Sequence, residues 1–440
     1  MRINKLASAL AVVGLVTVSG TAFATNGYFS HGYGMKAKGM GGAATAMASD
    51  TMGGANNPAS MVWVGDRLDL GIDWFSPIRT AKREGSGGGF NNFNQDSDSN
   101  NFFVPEFGYN KMLGSNMSLG VTVYGNGGMN SDYAGNTTSV ANCTGAGSAA
   151  LTLNALCGSG ELGVNLEQLI IAPTFAYKIN PNHSIGVSPL IGYQRFSIKG
   201  LSGFSGLSNS STNLTNKGHD EVWGWGVRLG WQGRISDTLT LGAAYSSKVS
   251  MSKFDKYKGL FAEEGSFDIP ENFNLGIAWK ATPAATVALD YQRINYGNVK
   301  SIANSGNDRT CATRVTPTDP TCLGGSNGLG FGWQSIDVWK LGFEYQYSKA
   351  LALRAGWNHG GNPIGSSQTT FNILAPGVVQ DHVTLGMTYA LTPGSEVTVA
   401  YMHAFEKSVS GSTNPNFAVG GTETIKMYQN SLGAAYSMKF

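Results

Sequence analysis

The chain has 440 residues, of which 41% are hydrophobic and only 13% are charged, and its formal net charge is +2. A typical soluble domain has about 25% charged residues, and the 61 glycines are about twice the usual share. A nearly neutral chain argues against nucleic-acid binding, and so little charge argues against a large soluble enzyme. The composition favours a β-barrel whose wall faces lipid or a water-filled lumen.

Residues 1–24 have the pattern of a secretory signal peptide. Arg2 and Lys5 give a positive start, residues 6–18 are apolar, and residues 22–24 read Ala-Phe-Ala, a small-residue cleavage site. The apolar run is too short to span a bilayer, so the mature chain is expected to begin at Thr25. No later segment approaches about 18 consecutive apolar residues, and the sequence therefore predicts no transmembrane helix.

Residues 25–64 are predicted to form an N-terminal hatch that plugs a transmembrane barrel of residues 65–440. The segment is crowded with glycine, alanine and methionine and closes on Asn57, Pro58 and Ala59. Glycine allows close backbone approach, and methionine adapts to irregular apolar shapes. Ordinary packing against a barrel wall would use the same residue types.

Beyond the hatch, apolar residues alternate with period two, which predicts strands. The candidate strands are residues 66–76, 101–109, 118–124, 164–178, 184–196, 220–235, 239–250, 270–280, 285–294, 333–347, 351–358, 380–391, 397–407 and 424–440. Their connections alternate between long, polar segments and short turns. Short periplasmic turns, long outer loops and an even strand number predict an all-β membrane protein, a 14-stranded antiparallel outer-membrane β-barrel.

The two faces of the predicted strands differ as a membrane barrel requires. In residues 220–235, Trp223, Trp225 and Trp231 share one face, whereas the opposite face is mainly glycine. The chain ends on Phe440, preceded by apolar residues at alternate positions. A terminal aromatic residue in this pattern resembles the C-terminal signal of outer-membrane barrels, so the expected location is the outer membrane of a Gram-negative bacterium.

Four cysteines follow the signal peptide: Cys143, Cys157, Cys311 and Cys322. Each close pair lies in a polar, loop-like stretch. In an oxidising compartment this suggests two local disulfides, although four cysteines allow three pairings. No histidine lies near either pair, and we expect neither a metal site nor a cofactor.

The glycine-rich N-terminal segment with Asn57-Pro58-Ala59, the fourteen predicted strands and the terminal Phe440 resemble the FadL/TodX family. Its members are outer-membrane transporters of long-chain fatty acids and other hydrophobic compounds. The resemblance covers the whole mature chain. It implies a hatch inside the barrel, an inward kink in the third strand that opens the wall, and an apolar pocket in the lumen. Cargo would be captured between the third and fourth outer loops and would leave sideways into the membrane.

The resemblance also gives candidate positions for the kink and the capture groove. Gly125, Asn126, Gly127 and Gly128 follow the third predicted strand, where glycine would permit a bend. The same residues would equally begin a long loop. Five apolar residues of the third and fourth outer loops would line the groove or simply pack locally. These are Leu201, Phe204, Leu207, Leu260 and Phe261.

Three basic residues on the predicted lumen face are candidates for binding a carboxylate head group: Arg228, Lys340 and Arg354. No motif aligns them with the head-group residues of the family. They would equally pair with Asp290 and Glu344 as structural charges of the lumen.

The resemblance implies a passive transporter of long-chain fatty acids or similar molecules, in which the hatch rearranges when cargo arrives. Its partners would be the hydrophobic ligand and outer-membrane lipid, with no nucleic acid, and we expect a monomer. Aromatic-hydrocarbon uptake or export of fatty-acid derivatives would use the same fold. An outer-membrane lipid hydrolase would need a nucleophile and base in contact, but the six histidines are scattered. A general hydrophilic porin would have a more charged lumen and no plug.

Overall fold

The computed structural model describes residues 26–85, 92–135, 138–139, 152–307, 311, 318–414 and 420–440. The predicted signal peptide and Cys143 lie outside these ranges. Within them, fourteen long strands form one antiparallel sheet. They are β1 (Arg67–Glu84), β2 (Phe102–Met112), β3 (Met117–Tyr133), β4 (Leu162–Lys178), β5 (His183–Lys199), β6 (Asp220–Arg234), β7 (Leu239–Ser246), β8 (Asn272–Thr282), β9 (Ala285–Ile294), β10 (Ile336–Gln346), β11 (Leu351–Gly360), β12 (Asp381–Thr392), β13 (Ser395–Ser412) and β14 (Thr422–Lys439).

The sheet closes into a barrel. Successive strands pair around the sheet, and β14 returns to β1 in continuous register from Arg67↔Lys439 to Glu84↔Thr422. Closure leaves no exposed sheet edge at the junction of the first and last strands. The predicted 14-stranded antiparallel barrel is confirmed.

The outer wall carries large apolar side chains. Trp225, Leu385 and Leu275 are 65%, 62% and 52% exposed, whereas polar, charged and glycine residues of the opposite face are buried in the lumen. Short turns such as residues 235–238 and 393–394 lie at one end, and the long connections lie at the other. In outer-membrane barrels the short turns face the periplasm.

Three strands extend at least five residues farther toward the outer loops than the alternation predicted. β1 ends at Glu84 rather than at residue 76, β3 at Tyr133 rather than at 124, and β13 at Ser412 rather than at 407. On β1 the outward residues beyond Ile78 are Thr80, Lys82 and Glu84, so no apolar face marks the outermost part of the strand. Conversely, β10 begins at Ile336 rather than at residue 333, and β7 ends at Ser246 rather than at residue 250.

The remaining elements are short. In the outer connections they are the strands Phe93–Asp96, Thr138–Ser139, Thr152–Leu153 and Ser250–Met251, the one-turn segments Ala262–Gly265, Lys300–Ala303 and Thr369–Asn372, and the 3-10 turns Ser202–Leu207, Ser211–Asn213, Asp255–Tyr257, Tyr296–Asn298 and Ser366–Gln368. Across the described ranges, no helix is long and apolar enough to cross a membrane.

Residues 26–64, called the plug below, contact the lumen face of the barrel and are mostly buried. They contain the helix α1 (Met35–Lys38) and the 3-10 helices Thr51–Gly54 and Pro58–Trp63. The plug touches the strands β1 to β6 and β12 to β14. It therefore bridges opposite sides of the lumen.

Candidate functional site

The Asn57-Pro58-Ala59 motif begins the last 3-10 helix of the plug. The Asn57 side chain accepts a hydrogen bond from the Ala59 amide at 3.1 Å, which caps the helix. The same side chain donates to the backbone oxygens of Thr45 at 2.8 Å and Trp231 at 2.9 Å. One buried amide therefore joins two parts of the plug to β6.

The motif fits the wall because the facing positions are glycines. A Cβ atom at Gly230 would lie 2.1 Å from the Asn57 Oδ1 atom. A Cβ atom at Gly186 would lie 2.4 Å from the Pro58 carbonyl carbon. The plug backbone occupies the space that side chains on β5 and β6 would need, which accounts for part of the high glycine content.

The body of the plug, residues 34–64, is held by carboxylates of the wall. The Lys38 ammonium lies 2.6 Å from Asp73 on β1, and the Lys36 ammonium lies 2.6 Å from Glu396 on β13. Three further carboxylates accept backbone amides of the plug: Glu106 those of Gly34 and Met35, Asp290 those of Ala44 and Thr45, and Asp69 that of Thr51. These strands fix the body from opposite sides of the barrel.

Residues 26–33, the N-terminal segment of the plug, are held without charges. The Tyr28 and Phe29 amides donate to the Tyr296 hydroxyl at 3.1 and 3.3 Å. Burial lowers the pKa of the His31 imidazole well below its usual value, so this side chain is neutral at pH 7. In the part of the chain that the structure describes, no residue of this segment forms an ion pair.

β3 bulges at the residues that the sequence singled out. Its register with β4 slips between Gly125, opposite Leu169, and Gly127, opposite Gln168, so that Asn126 is an extra residue. The strand then continues to Tyr133. Gly125 to Gly128 therefore lie within β3, and the alternative that they begin a loop is wrong.

β2 and β3 separate beyond this bulge. Their pairing ends at Glu106↔Tyr124, although β2 follows β1 as far as Phe102 and β3 follows β4 to its end. The plug occupies the freed edge of β3, where the Gly128 amide donates to the Tyr28 oxygen at 3.3 Å. We call this separation of residues 102–105 from residues 125–133 the seam.

An apolar cavity, the upper cavity, lies against the seam. It is lined by Tyr28 of the plug, Met129 of β3, Phe75 of β1, Met427 of β14 and Trp333 of an outer connection. Its volume is about 20 Å³, which is room for about one water molecule. A larger occupant requires Tyr28 or the outer connections to move.

Arg79 of β1 also lines the upper cavity and was not identified from the sequence. It is buried, donates to the backbone oxygens of Asn130 and Ser99, and leaves its Nε atom without a hydrogen-bond partner. Among the described residues, no carboxylate lies within 4.0 Å of its guanidinium. The sequence could have identified Arg79 through its even spacing from Arg83, because residues at even spacing on a strand share one face, here the lumen face.

A second cavity, the lower cavity, has a volume of about 10 Å³ and contains Arg228 and Lys340 in its lining. Arg228 donates to the Ser246 hydroxyl at 2.5 Å and to the Gly54 oxygen at 3.1 Å. Lys340 lies opposite Asp290 in the β9–β10 register, but that carboxylate accepts the plug amides. Within the described ranges, neither cation has a carboxylate within 4.0 Å.

A family model described as "Outer membrane protein transport protein (OMPP1/FadL/TodX)" matches residues 11–440. The chain belongs to this FadL/TodX family. It is therefore an outer-membrane transport protein, and the predicted family and location are confirmed. No curated protein matches the chain.

Solved structures show that this FadL/TodX chain shares its fold with distant relatives. The P. putida toluene transporter TodX is 19% identical with a TM-score of 0.66, covering 93% of this chain and 99% of that chain. The Ralstonia pickettii toluene transporter TbuX is 17% identical with a TM-score of 0.63 and the same coverage. A Pseudomonas aeruginosa FadL homologue is 16% identical with a TM-score of 0.66, again with that coverage. These similarities establish the fold.

Arg354 differs from the other two head-group candidates. Its guanidinium donates to Glu344 at 2.7 Å and to the Thr388 hydroxyl at 2.7 Å. It lines a cavity at the periplasmic end, away from both cavities beside the N-terminal segment. Arg354 is therefore a structural charge paired with Glu344. Arg228 and Lys340 instead share one cavity, where neither has a carboxylate partner.

The five groove candidates lie inside the outer connections. Leu201, Phe204, Leu260 and Phe261 are buried, and Leu207 is partly buried against the same apolar cluster. The Phe204 ring lies 5.2 Å from that of Phe371, and the Phe261 ring lies 4.7 Å from that of Phe196. This arrangement favours local packing, and a capture groove at these residues stays a prediction.

The described cysteines are disulfide-bonded. Cys311 and Cys322 are bonded, with their Cα atoms 4.8 Å apart, as expected from their spacing. Cys157 is also disulfide-bonded, and Cys143 lies outside the described residues. Where the structure describes the chain, no group of three or more histidine, cysteine or carboxylate side chains is placed to hold a metal.

One stretch matches the spacing of a hydrolase nucleophile motif. Residues 324–328 read Gly-Gly-Ser-Asn-Gly, but a nucleophile elbow joins a strand to a helix. Here the serine lies in an irregular outer connection, and no strand leads into it and no helix begins after it. The family is one of transport proteins, and the stretch gives no reason to assign hydrolysis.

Proposed function

We propose that this outer-membrane protein transports long-chain fatty acids or similar hydrophobic molecules passively. Cargo captured at the outer loops would enter the upper cavity, displace the N-terminal segment and leave sideways through the seam. The observation that carries the proposal is the end of β2–β3 pairing at Glu106↔Tyr124, with an apolar cavity directly inside it.

The lining of the path suits an apolar cargo. The Tyr28 ring lies 5.2 Å from the Tyr296 ring and 5.8 Å from the Trp333 ring, and all three side chains are buried. Transfer of a methylene from water to such surroundings is worth about 0.8 kcal/mol. An acyl chain therefore gains several such contributions without any covalent chemistry.

The cations beside the path favour a cargo with a carboxylate. Arg79, Arg228 and Lys340 are buried and none of them has a carboxylate within 4.0 Å among the described residues, although Asp290 lies opposite Lys340. A buried charge without a paired counter-charge is unfavourable. Other buried cations of the lumen, such as Lys38 and Arg354, have carboxylate partners. A fatty-acid head group would supply the missing negative charge.

Uptake of a small aromatic hydrocarbon is the second candidate. TodX and TbuX are toluene transporters, and the two cavities of about 20 and 10 Å³ would have to expand less for such a cargo. This candidate leaves the three cations without a role in binding. Diffusion has no built-in direction, so export through the same path would use the same contacts.

Binding of a labelled long-chain fatty acid to the purified protein, with toluene and an alkane as competitors, distinguishes these candidates. We expect saturable binding that other fatty acids displace and toluene does not. Arg228→Gln and Lys340→Gln should each weaken binding about tenfold, which corresponds to about 1.4 kcal/mol. Displacement by toluene would favour the aromatic cargo, and absence of binding by every apolar ligand would contradict transport.

Exposed Lys217 of the third outer connection provides a matched control for the loss of one positive charge. Lys217→Gln should bind the fatty acid as the unmodified protein does. If it weakens binding as much as Lys340→Gln does, the effect reflects net charge, and a head-group site in the lower cavity is contradicted.

A further inference from the structure

A large vestibule opens beneath the plug at the end of the barrel with the short turns. Its volume is about 890 Å³, and its lining combines barrel strands with the plug segment 46–49. This segment is among the most exposed parts of an otherwise buried plug. The vestibule is therefore the place where a molecule from the periplasm reaches the plug directly.

The charges of the vestibule are unbalanced. Seven lysine or arginine residues and three carboxylates line it. Two of the carboxylates are occupied, because Glu344 pairs with Arg354, and Glu396 pairs with Lys36 and Arg67. Only Asp237 remains to balance the other cations.

Four cations remain exposed at the rim without an ion-pair partner among the described residues. These are Arg234, Lys280, Lys349 and Lys439. Arg234, Lys280 and Lys439 belong to the ends of β6, β8 and β14, and Lys349 lies in the turn after β10. The four cations are therefore distributed around the mouth and do not converge on one point. Such a distribution suits several linked negative charges better than a single carboxylate or phosphate.

We propose that the vestibule is a docking site for an acidic segment of a soluble periplasmic protein. An extended segment places carboxylates about every 3.3 Å along its length, which lets it meet several rim cations together. At the floor it would lie beside Ser49, whose backbone oxygen accepts a hydrogen bond from Lys36 at 3.0 Å. Docking would therefore contact the ion pairs that hold the plug to β13.

The test uses the full protein in lipid nanodiscs, which leave both ends accessible, and a fluorescent hexaglutamate peptide as the probe. We expect saturable binding that hexalysine does not compete for and that weakens as salt rises from about 50 mM to about 500 mM. The triple variant Lys280→Gln, Lys349→Gln and Lys439→Gln should lose about tenfold or more in affinity. None of the three residues belongs to the proposed transport path, so fatty-acid binding should be unchanged.

A triple variant at the opposite end is the matched control. Lys217→Gln, Lys253→Gln and Lys258→Gln remove the same charge from exposed outer connections and should bind hexaglutamate as the unmodified protein does. The peptide should also protect Ser49→Cys from a polar thiol reagent. Equal losses in both triple variants, no saturable peptide binding, or displacement of the peptide by a single-headed fatty-acid anion would each overturn the proposal.

Discussion

Residues 26–33 and residues 34–64 of the plug are both buried, but different interactions hold them to the wall. The body makes ion pairs or carboxylate hydrogen bonds with Asp69, Asp73, Glu106, Asp290 and Glu396. The N-terminal segment has neutral hydrogen bonds and aromatic contacts. Removing one partner of a buried ion pair costs about 3–5 kcal/mol, whereas a neutral hydrogen bond contributes about 0.5–1.5 kcal/mol.

The difference between the two regions indicates which part of the plug can move. The N-terminal segment covers the seam and lines the upper cavity, so displacing this segment would connect the upper cavity to the seam. The body fills the lumen below and separates the cavities from the periplasm. We infer that cargo displaces the N-terminal segment while the body stays in place, which keeps small solutes out during transport.

The largest effect is expected when the body loses a charged contact. Asp73→Ala would leave the buried Lys38 ammonium without its carboxylate and should destabilise the docked plug by about 3–5 kcal/mol. The expected result is a large increase in small-solute permeability, measured by liposome swelling. Asp237→Ala, at an exposed turn, should leave permeability unchanged. If the Asp73→Ala variant is no more permeable to small solutes than the unmodified protein, the role of the charged contacts is contradicted.

A somewhat smaller effect is expected from filling a glycine site beside the N-terminal segment. A Cβ atom at Gly127 would lie 1.9 Å from the Tyr28 oxygen, so Gly127→Ala should displace that segment at a cost of about 1–3 kcal/mol. The affinity for a fatty acid should change, whereas the small-solute permeability should stay that of the unmodified protein. Gly365→Ala, where a Cβ atom meets nothing within 4 Å, is the control. Leakage from Gly127→Ala equal to that from Asp73→Ala would show that the two regions are not independent.

A smaller, local effect is expected at the hydroxyl that holds the N-terminal segment. Tyr296→Phe removes the acceptor of the Tyr28 and Phe29 amides, and leaving buried donors unpaired costs about 1–3 kcal/mol. Hydrogen exchange of these two amides should accelerate about tenfold or more. The Thr51 amide, bonded to Asp69, should exchange as before. Faster exchange throughout the plug would argue against a separately mobile segment.

The smallest effect is expected at Arg354. Because its charge is already paired with Glu344, Arg354→Gln should change the affinity for a fatty acid by less than about twofold. Isothermal titration calorimetry of the Arg354→Gln and Arg228→Gln variants with the same fatty acid measures the difference in affinity directly. A loss at Arg354 as large as at Arg228 would mean that ion pairing in the lumen does not distinguish head-group residues.

Much of the barrel was predictable because lipid imposes a strict alternation on the wall. Leu275 and Leu385 are apolar and exposed, as period-two patterning requires of residues that face acyl chains. Beyond the lipid the outward residues become polar, as at Thr80 and Lys82. The outer parts of β1 and β3 were therefore missed, and Arg79 was missed with them.

The site was less predictable because its chemistry depends on three-dimensional pairing. Arg228 and Arg354 both alternate onto the lumen face, but only Arg354 lies opposite a glutamate in the β10–β11 register. Lys340 does lie opposite Asp290, yet it forms no ion pair there, and plug amides distant in sequence bond to one oxygen of that carboxylate. Neither fact can be read from the local pattern of residues.

Hydrogen exchange of the unmodified protein, with and without a saturating long-chain fatty acid whose binding is verified in the same sample, tests the central claim most directly. We predict that cargo changes exchange in residues 26–33 and along β3 beyond Asn126, while residues 34–64 keep their protection. Equal changes in both parts of the plug, or none in either part while cargo is bound, would contradict a fixed body with a displaceable N-terminal segment.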